Sequence, residues 1–136
     1  MPQVPKANLV AGALTLVIAS IGGFALAANM DANFTEGFLK LTYPKALVKA
    51  AHSHGQPFGL FNLLVALLVP HLALGERERL WLSRLSILAL LMPVGLGLRG
   101  AMDGSLLPAP LSFIGGFSFL GATALLLKGG WAKRSV

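Results

Sequence analysis

No cysteine occurs anywhere in the chain, which excludes disulfides, thiolate zinc sites, iron–sulfur clusters and c-type haem attachment through this polypeptide. Charge is also scarce: 12% of residues are Asp, Glu, Lys or Arg, against about a quarter in soluble domains. Acids are the rarer sign, five against eleven basic residues. The net charge of +6 would suit nucleic acid if it lay on one face. Instead the basic residues flank apolar runs, which fits membrane orientation, and no nucleic-acid partner is expected. Gly-rich phosphate cradles, nucleophile elbows and paired carboxylates are missing too. The pairs Gly22-Gly23 and Gly115-Gly116 sit inside apolar runs and signal packing.

What the chain has in quantity is apolar sequence, 55% of its 136 residues. Stretches without Asp, Glu, Lys or Arg run from Ala7 to Met30, Ala50 to Gly75 and Gly104 to Leu127. Each exceeds the roughly 20 residues an apolar helix needs to cross a bilayer core. Between Arg84 and Arg99 only Leu85 to Leu98 is charge-free, but both arginines can snorkel to headgroups, so the span extends from Leu80 to Met102. The expected fold is all-α and polytopic: one domain over residues 1–136, a four-transmembrane-helix bundle with spans at about 8–29, 51–74, 80–102 and 106–127. Ala25-Leu26-Ala27 resembles a signal-peptide cleavage site, yet the apolar run before it is long for such a peptide, so a retained span is expected.

Four spans place Lys6, Arg77, Arg79, Arg84, Lys128, Lys133 and Arg134 on one side, and Lys40, Lys45, Lys49 and Arg99 on the other. Seven against four puts both termini in the cytoplasm. Between the first two spans, Asp31 to Lys49 mixes Phe34, Phe38, Leu41 and Tyr43 with Glu36, Lys40 and Lys45, as suits a segment lying in the interface. Tyr43, Trp81 and Trp131 read as interfacial anchors. Small residues recur at helical spacing at Ala19, Gly23 and Ala27, at Ser112 and Gly116, and at Ser118 and Ala122. Such stripes let helices approach closely, within one chain or across a homodimer. Pro70 and Pro93 should bend the second and third spans.

All three histidines belong to the second span. His71 follows Pro70 near the cytoplasmic end and reads as structural. His52 and His54 lie at the outward end, where ionisable groups at a membrane boundary merit a functional reading. On a helix two residues two apart point about 200° from each other and cannot share an ion. If Gly55 and Pro57 interrupt the helix, both point to one side. They could then hold copper or zinc, with Met102 or Asp103 as further ligands. Bis-histidine haem within one copy is disfavoured, because such haem takes a ligand from each of two helices. The bland alternative is that both histidines bond to headgroups, water or loop carbonyls.

The run His52-Ser53-His54-Gly55-Gln56-Pro57-Phe58-Gly59-Leu60-Phe61-Asn62, followed by Arg77-Glu78-Arg79 and Met92-Pro93-Val94-Gly95, is similar to small four-span bacterial membrane proteins. Those proteins resemble part of the catalytic subunit of haem-copper oxidases and nitric oxide reductases. The likeness covers roughly residues 50–125 and rests on a short motif. It implies a redox or respiratory role with haem b or copper near the outward face and His54 as the leading ligand. His52 is then a neighbour or second ligand, Arg99 a propionate partner, and Asn62 a group that fixes a polar atom. The later oxidase histidines have no counterpart here, so oxygen reduction by this chain alone is not expected. The expected roles are electron transfer, sensing, or support of a larger membrane complex. The alternative is a cofactor-free accessory or structural subunit; a small proton-coupled carrier is weaker, because the spans hold few charged groups.

Overall fold

The computed structural model describes residues 5–28 and 43–132, and every regular element among them is helical. We label these α1 (Lys6–Ala28), α2 (Tyr43–Leu68), α3 (Glu76–Ala89), α4 (Leu91–Ala101) and α5 (Ala109–Trp131), with a short 3₁₀ turn at Val69–His71 after α2. Three stretches are long and apolar enough to cross a membrane: α1, α3 together with α4, and α5. α2 is as long as any of them, but His52, Ser53, His54, Gln56 and Asn62 make it more polar.

The boundaries differ from the sequence reading where polarity and helicity part company. α2 begins at Tyr43, so Tyr43 to Lys49 are helix and not interfacial loop. Pro44 falls in the first turn, where its missing N–H costs no hydrogen bond. Residues 29–42, which carry the rest of the expected interfacial segment, lie outside the described residues. Pro70 does not bend the second span but ends it, since the α-helix stops at Leu68 and the chain becomes extended at Leu72. Pro93 acts as expected: the third span breaks at Leu90, whose N–H turns to the Ile87 carbonyl, and resumes as α4. A proline at position 93 withholds the N–H that the Ala89 carbonyl would receive in a straight helix.

Packing is inside-out relative to a soluble bundle. Large apolar side chains face outward, among them Leu14, Ile21 and Phe24 of α1 and Phe113, Phe117 and Leu120 of α5. Small or polar residues line much of the interior: Gly12, Ala19, Gly55, Gly59, Ala66, Ser86, Ala89, Gly115, Ser118 and Ala122. Where lipid surrounds the helices, burying a large side chain gains little, and close backbone approach decides association.

α2 lies between α1 and α4 and runs antiparallel to both. Its contact with α1 is set by glycine: a Cβ on Gly12 would sit 2.7 Å from the Gly59 carbonyl oxygen, and one on Gly55 3.2 Å from the Ala19 side chain. Gly95 and Gly115 do the same between α4 and α5, against Ser112 and Met92. Of the residues in the expected small-residue stripes, Ala19, Gly23 and Ser112 thus meet neighbouring helices of the same chain. On α5 the working glycine is Gly115 and not Gly116, beside which a Cβ would meet nothing within 4 Å. At the Lys128 end, Val65, Val69, Leu74, Leu82 and Ala122 form the apolar core, and Lys128 pairs with Glu78. Glu78 also accepts from the Gly75 N–H and so caps α3.

Candidate functional site

Because α2 is continuous from Tyr43 to Leu68, with Pro57 inside it, His52 and His54 lie on different faces. His52 turns to α1. Its Nδ1 is 2.7 Å from the Ala19 carbonyl oxygen, and since a carbonyl only accepts, Nδ1 donates; in the neutral imidazole Nε2 then keeps its lone pair. Gly23 makes this bond possible, because a Cβ there would lie 2.6 Å from the imidazole Cε1. His54 takes the opposite direction. Its Nδ1 donates to the Ala50 carbonyl one turn back, at 2.7 Å, and again Nε2 carries the lone pair. Its ring lies 6.2 Å from Phe58, which is buried and packs on Phe119 of α5 with centroids 4.7 Å apart.

The extended conformation that would let both histidines hold one ion is therefore not adopted. Met102 and Asp103 are exposed in the turn after α4, Asp103 with φ of 49°. Among the described residues no group of three or more His, Asp or Glu side chains comes together to hold a metal ion. A copper or zinc centre shared by His52, His54, Met102 and Asp103 thus does not fit this arrangement.

Arg99 sits at the same end as the histidines but is already engaged. Its Nη2 donates to the Tyr43 hydroxyl at 2.6 Å and its Nε to the Ser105 carbonyl at 3.1 Å, with the guanidinium over the Tyr43 ring. It ties the start of α2 to the end of α4 and the loop beyond. Tyr43 is thereby a helix staple, in addition to the anchoring role its type suggests.

Asn62 is completely buried, as are Asn8 and Ser86. The Asn62 amide donates to the Phe58 carbonyl at 3.1 Å and the Ser86 carbonyl at 2.8 Å, while its oxygen accepts from Asn8 at 2.9 Å. Asn8 donates further to the Ser83 carbonyl and accepts from the Ser83 hydroxyl. Both hydrogens and the oxygen of Asn62 are thus used inside the chain, joining α1, α2 and α3. Sequence reasoning passed over Asn8. The available signal was a polar amide inside an apolar span, masked by the nearby Lys6 at the helix start. His71 closes the 3₁₀ turn at the Lys128 end and is exposed, far from the other two histidines along the chain.

A groove of about 220 Å³ opens between α1, α2 and the α3–α4 bend. Its walls are apolar apart from Thr15 and His52. The chain matches no protein family, and no curated protein or solved structure matches it.

Proposed function

We propose that the chain crosses a bacterial inner membrane four times with both termini cytoplasmic, and that His54 would hold a haem b near the outward face. The four-span part is supported by α2 itself. It runs alongside α1 and α4, it spans roughly 39 Å at 1.5 Å per residue, and its most buried polar groups are paired within the bundle. A helix of that length packed along membrane-spanning neighbours crosses with them.

The observation that carries the ligand reading is the His54–Ala50 hydrogen bond. A backbone carbonyl on Nδ1 selects the tautomer of the neutral ring, orients it and leaves the Nε2 lone pair for a metal, the arrangement usual for metal-ligating histidines. The imidazole nitrogen that His54 leaves free suits haem iron, and the resemblance to oxidase-type helix openings nominates the same residue. Bound there, haem would supply a one-electron redox centre. His52, turned to α1, does not share that position. If haem is held there, a second holding residue would be the His54 of a second copy, a non-histidine group, or a residue of a partner in a larger respiratory complex. Protein purified in detergent should show a Soret band that His54→Ala abolishes and Ser53→Ala preserves. A folded His54→Ala variant with full haem content would falsify the assignment.

A second reading is favoured by one specific observation: Asn62, Arg99 and His52 already have partners within the chain. It makes the protein a cofactor-free accessory subunit whose polar residues fix helix register. Purified protein with neither a Soret band nor copper on elemental analysis decides for it.

A further inference from the structure

We propose that the groove between α1, α2 and the α3–α4 bend binds a single-ring phenol dissolved in the bilayer. This goes beyond the haem reading and uses a different histidine. His54 lies on another face of α2, whereas His52, Thr15, Gly22, Pro93 and Val94 line the groove.

Size sets the first limit. A cavity of roughly 150 Å³ lined by aliphatic side chains takes up benzene, and drug-sized pockets begin at about 300 Å³. At about 220 Å³ the groove suits one substituted ring. Access sets the second, because the groove is flanked by the outward-facing Ile18 and Val94, so its occupant arrives through lipid and must be apolar.

Hydrogen-bond chemistry sets the third limit and is the most selective. The groove wall has two polar side chains among the described residues, and with His52 neutral both have committed their protons. Thr15 Oγ1 donates to the Ala11 carbonyl at 2.7 Å, and His52 Nδ1 donates to the Ala19 carbonyl. What remains is acceptor capacity: the Thr15 oxygen lone pairs and the His52 Nε2 lone pair. An apolar ring with only carbonyl or ether oxygens finds no donor there. One bearing a hydroxyl does, and a phenolic O–H is a good donor to an imidazole nitrogen.

Fluorine NMR on the full chain in phosphatidylcholine nanodiscs tests this, with para-trifluoromethoxyphenol and its methyl ether as the probe pair. The two differ by the donor, so the ether should bind at least about tenfold more weakly, the ratio that 1.4 kcal/mol gives. Gly22→Leu should abolish binding of both probes without lowering the melting temperature. Gly22 lines the groove, and a Cβ there meets nothing within 4 Å, so the new side chain starts in open space and extends into the groove. His52→Phe combined with Thr15→Val, which removes both acceptors, should bring the phenol down to the affinity of its ether. Equal binding of phenol and ether by the native chain overturns the proposal, as does undiminished phenol binding by Gly22→Leu.

Discussion

At the scale of single residues, the same amino acid does opposite things one position apart. A Cβ at position 115 would lie 2.2 Å from the Met92 backbone nitrogen and 2.8 Å from its Cα. Backbone cannot move aside as a flexible side chain does, so Gly115→Ala must separate α4 from α5. We expect a loss of about 1–3 kcal/mol, the usual cost of overpacking, read as a lower melting temperature in detergent. Gly116→Ala meets open space and removes a helix-interior glycine. It should be neutral or stabilising by up to about 1 kcal/mol. If the two variants melt together, the close α4–α5 approach is not what fixes that interface. Asn62 makes a second residue-scale case, because it satisfies three groups at once. Asn62→Leu leaves the Ser86 carbonyl and the Asn8 amide short of partners in a dry interior, at a cost of about 1–3 kcal/mol. The direct Asn8–Asn62 coupling from a double-mutant cycle should be smaller, about 0.6–1.7 kcal/mol, as for interhelical bonds in membranes. A coupling near zero would mean the two amides act independently.

At the scale of the element, proline position decides between ending, bending and tolerating. Pro44 opens α2, Pro57 is accommodated within it, Pro70 follows its end, and Pro93 accompanies the break at Leu90. The sequence shows all four residues but ranks them poorly, since the outcome depends on whether neighbouring helices hold the flanking segments in place. Pro93 is buried, and its break gives one wall of the groove. Spin labels at Arg77 and Leu98 in the cysteine-free chain should report a bent span, shorter than the roughly 32 Å of a straight helix over those residues. Pro93→Ala should lengthen that distance; an unchanged distance would show that packing alone imposes the break. The elements legible in advance were those with uninterrupted apolar runs, α1 and α5. The start of α2 was not, because Lys45 and Lys49 mark the edge of an apolar span without ending a helix. The divergence of His52 from His54 follows from helical periodicity alone. That His52 reaches Ala19 does not, since it depends on which helix lies alongside and on Gly23 leaving room.

At the scale of the molecule, the distribution of side chains says what surrounds the bundle, and the basic residues suggest which way it sits there. Large apolar groups face out on α1 and α5, while the interior is made of small residues and paired amides. Among the described residues α2 is the one long helix whose own composition is too polar to identify it as a span, so its crossing must be tested on both of its ends. The absence of cysteine makes this direct, with single substitutions Lys45→Cys, Glu76→Cys and Leu106→Cys labelled by a membrane-impermeant maleimide. Positions 45 and 76 are connected by α2 and the 3₁₀ turn, and 76 and 106 by α3 and α4. Glu76 and Leu106 are exposed, so labelling reports sidedness and not burial. If the chain crosses four times as proposed, seven of the eleven basic residues share the side of the termini, and the positive-inside rule then places Glu76 in the cytoplasm. Intact cells should then label positions 45 and 106, and position 76 should react only after permeabilisation. Labelling of 76 together with 106 would mean that the α3–α4 pair does not cross. If 45 stayed protected alongside 76 while 106 reacted, α2 would instead lie buried on one side, and both the four-span topology and an outward-facing His54 would fall together.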